Sequence, residues 1–197
     1  SNCLDWICSV TNTSIQNSLA NVESFYAEKE AISNAPFFLP YLSGERTPHN
    51  DPHIRGSFHA IKTTTDATKM QYAVIEGVSF GILDGVNSIL KVNDNFEKIF
   101  MVGGGSKSIF WTELLASLLN KKLSVCEQSE YGAALGVARL AMHVDENLKN
   151  KINIIKEIKI RNEYKPKSNN FETLMKRYSI WKDLYTSNKK INILFPK

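Results

Sequence analysis

The sequence predicts an α/β fold, and three observations predict it. An apolar stretch at residues 98–102, "KIFMV", runs into Gly103-Gly104-Gly105 and then into a helical pattern over about 108–119. A second short apolar stretch, residues 122–126, "KLSVC", follows that helix. After "EQSEYG", a small-residue helix spans 132–143, with Ala133, Ala134, Gly136, Ala138 and Ala141. Strand, glycine turn, helix, strand and helix in that order imply an α/β layer.

The elements are justified in chain order. Residues 3–10 and 14–26 read as two helices; in the second, Ile15, Leu19, Val22, Phe25 and Tyr26 recur at helical spacing and bury one face. Residues 36–58, "PFFLPYLSGERTPHNDPHIRGSF", hold four of the six prolines and read as a long ordered loop, functional or packed as a unit. Residues 66–91 read as a long helix capped by Asp66 or Thr65. Within it Ala73, Gly77, Gly81 and Gly85 lie four apart, at a cost of about 1 kcal/mol per glycine against alanine. The expected return is close approach of another helix. In the helix over 108–119, Phe110, Leu114, Leu115, Leu118 and Leu119 point inward. The packing of 132–143 against a sheet accounts for Ala134 and Ala138, while Gly132 could also line a pocket. Residues 151–164, with "INIIKEIKI", read as strand-like or extended. Residues 171–185 close the chain as an amphipathic helix, with Phe171, Leu174, Met175, Tyr178, Trp181 and Leu184 on one face.

Composition excludes several classes of function. At 197 residues and 43% hydrophobic, the chain supports one sizeable core. It has no apparent run of about 18 apolar residues, which predicts no membrane span. It opens "SNCLDWICSV", without Met or a basic leader; the expectation is a piece of a longer protein, without a signal peptide. Cys3, Cys8 and Cys126 fit neither a disulfide framework nor a metal knuckle, so a reducing, cytoplasmic compartment is expected. His49 and His53 lie four apart, but Pro48 and Pro52 flank them and argue against a helix presenting both to a metal. They read as solvated loop residues. Residues 149–197 carry 13 Lys+Arg against 4 Asp+Glu, an excess of basic charge that the rest of the chain lacks. Because Lys156, Lys159 and Lys165 alternate with isoleucines, the basic tail reads as a solvated face, and no nucleic-acid partner is expected.

The glycine turn is the candidate site. Three adjacent glycines are expensive in backbone entropy, and they leave a backbone that a flat or bulky ligand can approach closely. Ser106 and Ser108 stand at the start of the helix that follows, where backbone N–H groups and a partial positive charge favour phosphates or a nucleotide. The pattern is neither the dinucleotide fingerprint, which separates its glycines, nor a Walker loop, which needs a Lys at fixed spacing. By itself it fits either a nucleotide site or a bare tight turn.

The strings "FFLPYLSGERTPHNDPHIRGSF", "AVIEGVSFGILDG", "MVGGGSKSIFWTELLASLL" and "YGAALGVARLA", in that order, resemble the C-terminal domain of the FGGY carbohydrate kinases, and within that family the xylulose kinases most. The likeness spans about residues 1–145 and continues weakly through "YKP" and the last helix. The resemblance implies an actin-like ATPase (ribonuclease H-like) C-terminal domain, here expected to lack its first strands. Residues 1–197 would form the nucleotide-side domain, the N-terminal sugar-binding domain being absent from this chain. It further implies that Gly103, Gly104 and Gly105 flank the adenosine of ATP, with Ser106 and Ser108 near the adenine or ribose. Ser108 falls where some relatives place Asn. Gly56, Phe58, Ile61, Ala73 and Glu76 match the family signature, whereas Ala60 stands where glycine is usual and Lys69 where a polar or acidic residue is usual. The implied reaction is ATP-dependent phosphorylation of a sugar hydroxyl, D-xylulose first, with gluconate, ribulose or glycerol as alternatives. The general base, the phosphate-facing loop and most ligands of Mg²⁺ would lie upstream, since neither a "GDN" nor a "GTSG" string occurs here. Asp84 and Glu76 read as structural, and Glu45 and Arg46 as residues that pair or hold their loop. The implied partners are ATP, the sugar through the missing domain, and either a second copy or the missing half. A non-catalytic nucleotide-binding module is the rival reading.

Overall fold

The computed structural model describes residues 2–28, 31–91, 98–127, 129–144, 159–167 and 169–192. Two helices open the chain, α1 (Asn2–Val10) and α2 (Ile15–Ala27). Ser14 starts α2 by accepting the Asn17 N–H at 3.2 Å, which satisfies one of the donors every helix start leaves over.

Residues 36–58 are not one loop throughout. Strand β1 (Phe37–Leu39) pairs antiparallel with β2 (Ser57–His59), Phe38 opposite Phe58. The pair buries Phe38, and Trp6 stacks on both Phe38 and Phe58. Between the strands the chain is held rather than free. Glu45 and Asp51 exchange two backbone hydrogen bonds of 2.9 and 2.7 Å, and the Glu45 carboxylate accepts the His49 N–H at 2.8 Å. Just past β2, Ala60 has φ of 60°. This is the left-handed region that glycine enters without steric penalty and that alanine rarely adopts.

Helix α3 (Ala67–Leu90) begins at Asp66, whose carboxylate accepts the Lys69 N–H at 2.9 Å. It is the central helix: α1, α2, β1 and two later helices all pack against it. One of its glycines, Gly77, is required by a neighbour, and that neighbour is not a helix, as the spacing predicted, but strand β1. A Cβ on Gly77 would stand 2.2 Å from the Phe38 carbonyl oxygen. Gly81 has only Pro40 near it, and Gly85 has nothing within 4 Å. Helix α3 is long and apolar enough to cross a membrane by length and composition alone. Its buried set, which runs from Gln71 to Leu83, nevertheless includes Glu76, and other helices and β1 pack against it, as in a core helix.

The α/β layer follows. Strand β3 (Ile99–Met101) leads through the glycines and a 3-10 turn at Gly104–Lys107 into α4 (Ile109–Leu119), then β4 (Leu123–Cys126). A second 3-10 turn, Ser129–Tyr131, leads into α5 (Gly132–Val144). Strand β5 (Ile160–Tyr164) and helix α6 (Phe171–Asn192) complete the described elements. The sheet order is β3-β4-β5. β3 and β4 are parallel, Met101 beside Val125, and β5 runs antiparallel to β4, Leu123 beside Tyr164. Every residue of the central β4 is buried. Of the stretch read as strand-like or extended, 160–164 is strand and 151–158 lies outside the described residues.

Two burial expectations change. Leu174, Tyr178 and Trp181 of α6 are buried as predicted, but Phe171 is partly exposed. Helix α5 is the larger departure. Ala134 and Ala138 are exposed, and Val137 and Leu140 are 67% and 69% exposed, so the face expected to pack on the sheet lies toward solvent, while Gly132, Leu135, Arg139 and Met142 are half-buried.

Candidate functional site

The glycine turn sits at the carboxyl end of β3. Gly103 has φ 86° and ψ −176°, a conformation essentially reserved for glycine. A Cβ there would meet nothing within 4 Å, so the backbone angles, not crowding, require the glycine. Gly105 is limited by packing, since its Cβ would lie 3.3 Å from Met101 Cε and 3.7 Å from the Trp111 ring. Gly104 is different. It is exposed, its φ lies outside the left-handed region, and a Cβ would again meet nothing within 4 Å. No described part of the fold requires glycine at 104.

The two serines divide the work. Ser106 is buried, and its hydroxyl donates to the Gly103 carbonyl at 2.7 Å. Since that donor is spent, the Ser129 hydroxyl, 2.7 Å away, must donate to Ser106 Oγ. The Ser129 carbonyl in turn accepts the Gly103 N–H at 2.8 Å. Ser108 is half-buried and caps α4: its Oγ accepts the Trp111 N–H at 3.1 Å. A hydroxyl that accepts keeps its own proton to donate, so Ser108 retains a donor for a ligand and Ser106 does not. The helix that follows the turn is thus already capped by its own serine at one N–H. Trp111 then anchors α4 to α3 through Nε1–H donating to Ser79 Oγ at 2.9 Å. Ser129 was invisible in sequence; nothing in "EQSEYG" marks one serine as a partner of a turn 26 residues earlier.

The carboxylates weighed as candidates for chemistry are engaged elsewhere. Arg177 of α6 grips Glu76 with two hydrogen bonds, Nε to Oε1 at 2.7 Å and Nη2 to Oε2 at 2.6 Å. Tyr72 Oη–H donates to Oε1 at 2.9 Å. Burial pushes the Glu76 carboxyl above its ordinary value, and the guanidinium and phenol pull it back. With three donors and no acceptor around it, the group is held as the carboxylate. Asp84 accepts from Tyr178 Oη–H at 3.0 Å and stands 3.4 Å from His49 Nε2. His49 is not a solvated loop residue; its ring stacks on Tyr185 with centroids 3.7 Å apart. His53 is exposed as expected. Among the described residues no group of three or more His, Cys, Asp or Glu side chains could hold a metal ion.

Two clefts are alternatives to the turn. One, of about 560 Å³, is lined by Glu23, Glu28 and Glu113 together with Tyr26, Phe110 and Lys167. Among the described residues its one cation is already paired to Glu113 at 2.6 Å, so the described lining is acidic and disfavours polyphosphate. The other, about 480 Å³, lies between α3 and the loop at 40–47, where Gly81, Gly85 and the exposed Arg46 line it. Neither includes any of Gly103, Gly104 and Gly105.

The sequence model of the FGGY family of carbohydrate kinases, C-terminal domain, matches residues 1–144. The xylulose kinase of Escherichia coli (strain K12) is 29% identical over 186 residues, 93% of this chain and 37% of that protein. A xylulose kinase structure from Brucella ovis superposes with a TM-score of 0.78 at 28% identity, over 96% of this chain and 38% of that one. A gluconate kinase from Lactobacillus acidophilus superposes with a TM-score of 0.73 at 25% identity, over 94% of this chain and 37% of that one. The chain therefore spans well under half the length of the relatives it matches.

Proposed function

Because the chain belongs to the FGGY family of carbohydrate kinases, whose C-terminal actin-like ATPase domain its fold matches, we propose that it is the nucleotide-side part of an ATP-dependent sugar kinase. The glycine turn is its adenosine shelf. Gly103, Gly104 and Gly105 present bare backbone to the nucleoside, Ser108 donates its remaining hydroxyl proton, and Ser106 holds the turn from inside. Bound ATP, with Mg²⁺, would supply the phosphoryl group and the neutralisation of its charge. The observation that carries this reading is Gly104. Glycine there raises the entropic cost of folding, yet a Cβ would meet nothing within 4 Å among the described residues. The requirement points outward, to a ligand lying on the turn.

The residues also support a limit. Transfer to a sugar hydroxyl needs a base within hydrogen-bond reach of that hydroxyl. Glu76 is buried under Arg177, and Asp84 is held by Tyr178 and His49. We assign no general base to this chain and expect it to be inactive alone, with base, sugar contacts and most Mg²⁺ ligands supplied by an N-terminal domain such as its relatives' greater length allows. D-xylulose is the substrate favoured by the curated relatives, which include several xylulose kinases. The gluconate kinase superposes almost as well as the xylulose kinase, so the fold leaves the sugar open. A substrate panel on the assembled enzyme decides among D-xylulose, gluconate, ribulose and glycerol.

Gly104→Val tests the shelf. The expected result is unchanged thermal stability with ATP affinity at least about tenfold weaker, roughly 1.4 kcal/mol. Affinity equal to that of the unaltered chain would remove the nucleotide from this turn. Because half of a micromolar nucleotide's contact energy corresponds to a dissociation constant of about 1 mM, titration of this chain by NMR is the suitable measurement.

A further inference from the structure

We propose that Ser129 is a positioning residue for nucleotide binding, a latch that holds the glycine turn in its receptive shape without touching the ligand. This deepens the reading of the turn as an adenosine shelf and rests on it. Three consecutive glycines do not keep a shape by themselves, because each has more backbone freedom to lose than any other residue. A shelf made of them has to be ordered by something else before a ligand arrives, or binding must supply the ordering. Ser129 supplies two constraints from one residue. Its carbonyl accepts the Gly103 N–H at 2.8 Å, and its hydroxyl donates to Ser106 Oγ at 2.7 Å. Ser106 passes that restraint back to the turn by donating to the Gly103 carbonyl at 2.7 Å. Both backbone polar groups of Gly103 are therefore clamped, at the residue with the unusual φ. Ser129 and Ser106 are 2% and 3% exposed, so no water competes readily for these bonds. The latch spans the gap between the ends of the parallel strands: Gly103 follows β3, and Ser129 follows β4. It also ties the turn to the start of α5, where a Cβ on Gly132 would lie 3.3 Å from Val102 Cβ.

The test is an NMR titration of the 197-residue chain with a slowly hydrolysed ATP analogue, for the unaltered protein, Ser129→Ala, Ser106→Ala, the double variant and Ser129→Thr. The expected result is about 3- to 10-fold weaker binding for Ser129→Ala, the range set by one lost hydrogen bond, and at least that loss for Ser106→Ala, which removes two. The double variant is expected to bind no more weakly than Ser106→Ala alone, because Ser129 acts through Ser106. Ser129→Thr, which keeps the hydroxyl, is expected to restore affinity. Faster amide exchange at Gly103, with the melting temperature little changed, would accompany the loss. Binding by both alanine variants equal to that of the unaltered chain overturns the latch while leaving the shelf intact. Additive losses in the double variant overturn it as well, since they would show two independent effects. Absence of any nucleotide-dependent shift at Gly103–Gly105 in the unaltered chain overturns the shelf and the latch together.

Discussion

Arg177 gathers more of the structure than any other single side chain described above. Besides gripping Glu76, its Nη1 donates to the Ala35 carbonyl and its Nη2 to the Pro36 carbonyl, each at 3.0 Å, and its guanidinium carbon lies 4.2 Å from the centre of the Phe37 ring. One buried cation thus joins α3, α6 and the entry to β1. Replacing it strands the Glu76 carboxylate with Tyr72 alone. Arg177→Met is expected to cost about 3–5 kcal/mol in chemical denaturation, the penalty of an uncompensated buried charge. Asp51 gives a pH-dependent counterpart. Burial pushes its carboxyl up, but hydrogen bonds from the His53 N–H, Tyr185 Oη–H and Ile54 N–H outweigh that and hold it below its ordinary value of 3.8. A lowered carboxyl binds its proton more weakly folded than unfolded. Its stabilisation is therefore complete above that value and is lost as pH falls through the lower, folded value. Thermal melts on the acid side should show Asp51→Asn losing less stability than the unaltered protein over that window; parallel curves would refute the assignment.

Among elements, α3 and β1 illustrate how a glycine requirement is set by a strand's backbone. Gly77 is the contact point, and the Phe38 carbonyl that faces it lies two residues beyond the Pro36 carbonyl held by Arg177. The Trp181 Nε1–H donates to the same carbonyl at 2.8 Å. β1 is fixed from two sides and has no room to retreat. Gly77→Ala is expected to destabilise the protein by about 1–3 kcal/mol through overpacking, whereas Gly85→Ala, with open space around it, should be neutral or stabilising. A comparison of the two melting temperatures checks this, and equal effects would mean that helix propensity alone governs both. Helix α5 shows the opposite case, an apolar element with its side chains toward solvent.

For the whole molecule the expected consequence is association. Val102, Ile109, Tyr131, Val137 and Leu140 are each more than half exposed, and among the described strands β3 stands at an edge of its sheet. Apolar surface and an unpaired strand edge both favour contact with another polypeptide. Sedimentation of the chain alone should show mass rising with concentration, and co-expression with an N-terminal domain of an FGGY kinase should suppress it. A concentration-independent monomer would argue that these side chains are tolerated in water.

What the sequence determined by itself was the set of local events: helix starts at Ser14, Asp66 and Ser108, whose side chains each accept an N–H three residues on, and the strand–glycine–helix order that defines the α/β layer. These are encoded within a few residues, so pattern reveals them. The ordered strings of the glycine turn and the long helix also carried the family. Tertiary structure alone decided the rest. The β1–β2 pair, the Glu76–Arg177 grip and the Ser129 latch join residues about 20 to 101 positions apart, and no local period records such a meeting. Strand β5 is mostly exposed and polar, so it lacks the alternation that would announce it. Burial of α5 was misjudged for the same reason: an apolar pattern states that a face seeks cover, while only the packed chain shows whether cover is there.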